Sequence, residues 1–183
     1  TVTDKNITSY FVNFNMTNPV GAPWNSFNAA PYPAGVTLAA IKDEAGNNSA
    51  IGVTLVDAWT DGNNLGGTTG NNSGVFPDNV MQTFYYTDAT TTKRIRITGL
   101  PTGPNQKYNI VLFASRAGVA DNRTTIYASG GQSVSLNAAS NISNTVQLAG
   151  LVPDVTGAIE FTAQKDPGAA FGYINAMVIQ SYI

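Results

Sequence analysis

The residue pattern predicts an all-β fold of short strands, a sandwich or barrel, built as one domain over residues 1–183. Three observations carry this expectation. Apolar and polar residues alternate with period two along much of the chain. The alternating runs are short, rich in Val, Ile, Thr, Tyr and Phe, and punctuated by Gly, Pro, Asn and Asp at the spacing of a sandwich or barrel. Runs with helical spacing are nearly absent.

The first expected strands, residues 9–15, 36–42, 50–58 and 82–87, rest on that composition between turn-forming residues. In the next, 93–100, Arg94, Arg96 and Thr98 alternate with Ile95, Ile97 and Gly99, so one side faces water and the other the core. The run 107–115 is almost continuously apolar from Asn109 to Ala114, as a strand in the middle of a sheet should be. Strands 123–129 and 132–137 flank Gly130-Gly131, whose tolerance of positive φ suits a tight hairpin. The last three are 145–149, 158–163 and 172–180, with Glu160 on the solvated side between Ile159 and Phe161.

Composition removes much familiar chemistry. The 183 residues include no His and no Cys, so neither an imidazole-based triad nor a thiolate or imidazole zinc site can be assembled. A net charge of -2 supplies no clustered basic surface, so nucleic acid and anionic membrane are not expected partners. Membrane insertion is not expected either, because no stretch approaches the ~20 apolar residues of a bilayer span. Residues 1–6 do not read as a signal peptide. Only Glu44, Glu160 and nine Asp are available for acid–base work, and no pair of them announces itself. The glycine-rich tract from Gly66 to Gly74 lacks the lysine of a phosphate loop.

Long loops are the natural place for binding groups. Three are expected: 16–35, with Trp24 and four prolines; 59–77, rich in Gly and Asn; and 116–122. Trp24, Trp59 and Tyr85, with Phe76 and Tyr86 nearby in sequence, are candidates for a platform on which a sugar ring stacks. The competing reading is that the two tryptophans plug the ends of the sandwich. Arg116, Asn122 and Arg123 lie at one end of a hairpin-like pair, where guanidinium and amide groups can hold vicinal hydroxyls or a uronic carboxylate. Asp121 and Arg123 can equally pair with each other. Calcium is the one metal the donors suit, on residues 43–48 or 57–64, although both stretches also read as plain turns.

The succession Ile97-Thr98-Gly99-Leu100, Tyr108-Asn109-Ile110-Val111-Leu112-Phe113, Asn122-Arg123-Thr124-Thr125-Ile126-Tyr127, Val152-Pro153-Asp154 and Phe171 through Ile179 resembles the galactose-binding-like and malectin-like jelly rolls. The resemblance covers residues 93–183, and the N-terminal half only through Phe14, Trp24-Asn25 and Leu38. It implies an antiparallel two-sheet β-sandwich, a jelly roll of the kind attached to secreted bacterial proteins that act on polysaccharides, commonly binding carbohydrate and often holding a structural calcium ion. The resemblance transfers no binding site, and it marks Tyr108, Tyr173 and Asn175 as core and corner residues.

The expectation is therefore a non-catalytic carbohydrate-binding module, secreted or on the cell surface and part of a larger multidomain protein. It recognises a polysaccharide or oligosaccharide through Trp24, Trp59, Tyr85, Arg116, Asn122 and Arg123. A structural or adhesive module of a surface protein or fibre is the alternative. An enzyme working through Asp or Glu stands third.

Overall fold

Fourteen strands and one short helix form from these runs among residues 6–183, the part that the computed structural model describes. Residues 1–5, most of the stretch read as no signal peptide, lie outside the described residues. A five-stranded sheet has the order β11 (Val146–Leu151), β8 (Lys107–Phe113), β14 (Ala176–Tyr182), β1 (Thr8–Asn13), β2 (Trp24–Ser26). A six-stranded sheet has the order β10 (Gln132–Asn137), β9 (Thr124–Ser129), β12 (Ile159–Lys165), β7 (Lys93–Thr98), β4 (Gly52–Leu55), β3 (Thr37–Leu38). All neighbours are antiparallel except β1 and β2, which run parallel. The chain is thus an all-β sandwich, an architecture compatible with a jelly roll.

Alternation explains the packing. On the five-stranded sheet Val12, Ile110, Leu112, Met177 and Ile179 point inward; from the other sheet Val53, Ile95, Ile97, Tyr127 and Phe161 join them in one buried cluster. Full burial of each such side chain stabilises by about 1.5–3 kcal/mol. Arg94, Arg96 and Thr98 stay outside, as the alternation requires. Strand β8 lies between β11 and β14, the interior position that its apolar run implies. Its neighbouring residues Leu112 and Phe113 enter opposite clusters, because successive side chains leave a strand on opposite faces. The predicted hairpin pairs Ser129 with Gln132 across Gly130 and Gly131, whose φ values of 56° and 79° supply the left-handed turn.

The structure departs from the two-sheet expectation in three places. A small third sheet has the order β13 (Gly172–Ile174), β6 (Phe84–Thr87), β5 (Asp61–Asn63), and two of the segments read as irregular loops supply the short strands β2 and β5. The final run breaks at Asn175 into β13 and β14. The Gly/Asn-rich segment, ending in the single helix α1 (Asp78–Met81), lies over the outer face of the five-stranded sheet. There Phe11, Trp24, Phe76, Met81 and Phe113 form a second apolar cluster. Among the described residues no helix is long and apolar enough to cross a membrane.

Candidate functional site

The third sheet presents two faces with different fates. Register places Tyr173 opposite Tyr86 and Ile174 opposite Tyr85. Tyr85 and Ile174 therefore lie on one face, while Phe84, Tyr86 and Tyr173 share the other, where Phe84 and Tyr173 are buried as well and Tyr86 is half-buried. Phe171, two residues before Tyr173, joins them. The four rings form a box: Phe84 to Tyr173 is 5.1 Å at 84°, Tyr86 to Phe171 is 5.5 Å at 86°, and Phe84 to Tyr86 is 6.1 Å at 67°. Edge-to-face contacts of this kind fix ring positions before any ligand arrives. Tyr86 and Phe171 remain partly exposed.

Two arginines close the box. The Arg123 guanidinium lies 5.1 Å from the Phe171 ring centre, donates from Nη1 to the Tyr173 hydroxyl at 2.8 Å, and donates from Nε to Asp121 at 2.8 Å. The Asp121 bond raises the Arg123 pKa, and the same bond holds the Asp121 carboxyl below its usual range. Arg116 leaves the end of β8 and donates from Nη1 to the carbonyls of Leu65 and Ala117 at 3.3 and 2.5 Å. With Asn63 and Leu65 these groups line an open hollow of about 250 Å³. Burial raises the Tyr86 hydroxyl pKa, and the neighbouring Asp61 and Asp88 add to the rise. Burial also raises Tyr173, opposed by its bond from Arg123.

No family model matches the chain, and no curated protein matches its sequence. The site is read from its own residues.

Of the six residues singled out from sequence, Arg116 and Arg123 line the pocket. The other four do not. Trp59 is 2% exposed in the main core, and Tyr85 is wholly buried, its single hydroxyl proton shared between the carbonyls of Asn15 and Ala29, so neither has a face open to a sugar. Trp24 is the keystone of the second cluster, edge-on to Phe11 and Phe76, each 5.1 Å away. Asn122 braces its loop: its amide donates to Asp166 and its carbonyl accepts the Thr124 N–H. Sequence reasoning passes over Phe84, Phe171 and Asn63, and treats Tyr173 as core alone. Tyr173 serves both purposes, since its ring lines the pocket while its carbonyl receives the buried Tyr127 hydroxyl. The usable signal was the i, i+2 spacing of aromatics, 84 with 86 and 171 with 173.

In the two stretches read as calcium candidates, the leading carboxylates are engaged by the protein, and among the described residues no group of three or more acidic side chains gathers. Asp43 already accepts the N–H groups of Ala45 and Asn47 and the Asn47 side-chain amide; Asp57 is held by a two-pronged ion pair with Arg94 at 2.8 Å. Both carboxyls are lowered by these partners, Asp43 chiefly by the Asn47 side chain and Asp57 by that of Arg94.

Proposed function

We propose that this chain is a non-catalytic carbohydrate-binding module of a secreted or cell-surface protein, and that its sugar seats against Tyr86 and Phe171 beneath Arg116 and Arg123. The supporting observation is the pocket itself, which combines partly open aromatic rings with guanidinium donors held in place by the backbone and by Asp121. A sugar ring offers an apolar C–H face beside a rim of hydroxyls; aromatic faces accept the first and fixed polar groups the second. The volume of about 250 Å³ suits one ring of a chain whose remainder stays in solvent. Among the described residues no carboxylate lines the hollow, and the chain has no His or Cys, which favours recognition over turnover.

Calorimetric titration of a panel of plant, algal and microbial oligosaccharides tests this. At least one should bind, and Phe171→Ala or Tyr86→Ala should weaken it about tenfold, the scale of an aromatic anchor. Trp59→Phe, a change confined to the core, should leave affinity unaltered. Absence of binding across the panel sinks the proposal.

A further inference from the structure

We infer that the pocket selects acidic sugars, receiving the anionic group of a uronate or sulfated residue on Arg116 while the ring rests on Tyr86 and Phe171. This rests on the reading of the pocket as a sugar site. It begins from how the four arginines are used. Arg94 pairs with Asp57 at 2.8 Å, Arg96 with Asp154 and Glu160 at 3.4 and 3.8 Å, and Arg123 with Asp121 at 2.8 Å. Among the described residues Arg116 alone has no carboxylate partner. Yet it is not loose, because Leu65 and Ala117 hold Nη1 through their carbonyls. Nε and Nη2 donate to no protein atom among the described residues. Those two atoms are the pair that forms a parallel two-pronged bond with a carboxylate.

The rest of the lining agrees. A sugar hydroxyl both donates and accepts, so a site built for a neutral ring normally supplies acceptors as well as donors, whereas a carboxylate or sulfate only accepts. Here the side-chain acceptors on the lining are the Asn63 amide, which already takes the Asn64 N–H, and the hydroxyls of Tyr86 and Tyr173, the latter taken by Arg123. Both charged groups are arginines, which only donate, and Arg123 Nη2 donates to no protein atom among the described residues. Both cations act on one point: each opposes the rise that burial imposes on the Tyr173 hydroxyl. Asp121 is held by Arg123 Nε, and neither it nor Asp61 and Asp88, the acids beside Tyr86, lines the hollow. Both charged groups on the lining itself are thus positive, in a chain of net charge -2.

The experiment is calorimetry on the whole chain with matched pairs of oligosaccharides: glucose with glucuronate, galactose with galacturonate, mannose with mannuronate, and sulfated forms of the neutral members, each at low and high NaCl. An acidic member should bind about tenfold or more tightly than its neutral partner, the range of charge-assisted hydrogen bonds, and the preference should shrink with salt. Whichever acid prevails, uronate or sulfate, identifies the source of the anion. Arg116→Gln should remove the preference by weakening acidic members about tenfold more than their neutral partners, and Arg116→Lys should retain part of it. Phe171→Ala should weaken acidic and neutral members alike. Equal binding of the pairs, or a preference that survives Arg116→Gln in a folded variant, overturns acid selection and leaves the sugar site standing. Should Arg116→Gln fail to fold, the salt dependence and Arg116→Lys decide. No binding by any member overturns the sugar reading as well.

Discussion

Asparagine does the work of backbone in this chain. Asn15 and Asn141 use the same device: Oδ1 accepts two N–H groups, two and three residues ahead, while Nδ2 donates to the carbonyl three residues ahead. Asn25 grips Lys42 at both its N–H and its carbonyl. Asn175, with no solvent exposure, sits where the final run breaks: Oδ1 accepts Ser115 N–H at 2.8 Å and Nδ2 donates to the Met81 and Ser115 carbonyls at 2.6 and 3.1 Å. Removing that amide strands buried groups on two other segments, each costing about 1–3 kcal/mol. Asn175→Ala should therefore lose about 2–4 kcal/mol in denaturant unfolding, and equal stability would refute the role. The abundance of amides, legible in the sequence as polar loop chemistry, is largely structural. For Asn175 the partners lie 60 to 94 residues away, and local pattern carries no trace of them.

At the scale of elements, face and contact decide what pattern leaves open. Period two tells a reader that Tyr85 and Tyr86 separate, and the choice of Tyr85 as the ligand residue falls on the buried side. Nothing in residues 82–87 says which side the core lies on, because both faces of β6 carry large aromatics: Tyr85 on one, Phe84 and Tyr86 on the other. The Gly/Asn-rich tract reads as a loop, and four of its five glycines, Gly62, Gly66, Gly67 and Gly74, prove to be contact residues. A Cβ on Gly66 would lie 2.1 Å from the Met81 carbonyl oxygen and 2.9 Å from Asn175 Nδ2, so the tract must shift to admit one. Gly66→Ala should lower stability by about 1–3 kcal/mol, the range of overpacked sites. Because Leu65 next to it holds Arg116, the same variant should also weaken ligand binding. A melting curve and a titration check both, and a variant as stable as the parent excludes the close approach. The edges bear on the adhesive alternative. Strands β2 and β3 have three and two residues, and β11 carries a register shift between Leu148 and Leu151. Gln132 bonds the N–H and carbonyl of Ala149, tying the β10 edge to β11. Short, bulged and capped edges are poor templates for another copy.

The molecule as a whole has an unusual titration curve, and this follows from its sequence more directly than its site does. Without His or Cys, no side chain of ordinary pKa changes charge between about pH 5 and 8. Below that window the folded state loses support. Asp43, Asp57, Asp78, Asp121 and Asp154 are all held below the usual 3.8 by hydrogen bonds from Asn47, Arg94, Thr69, Arg123 and Thr156 respectively. A carboxyl whose folded value is depressed stabilises above its unfolded value and loses that contribution as pH falls through the folded one. At the other end, burial raises the Tyr85 and Tyr127 hydroxyls well above 10.0, so the unfolded chain releases those protons first and stability falls as pH rises past about 10. Thermal melts across pH should show a plateau from about 5 to 9 with acid and alkaline shoulders. The Asp78 carboxylate holds Thr69 and Gly70 at the head of the glycine-rich cover. Amide exchange at those two residues should therefore quicken near the acid shoulder before the β8 amides do. Simultaneous loss of protection at both would mean that the cover does not loosen separately.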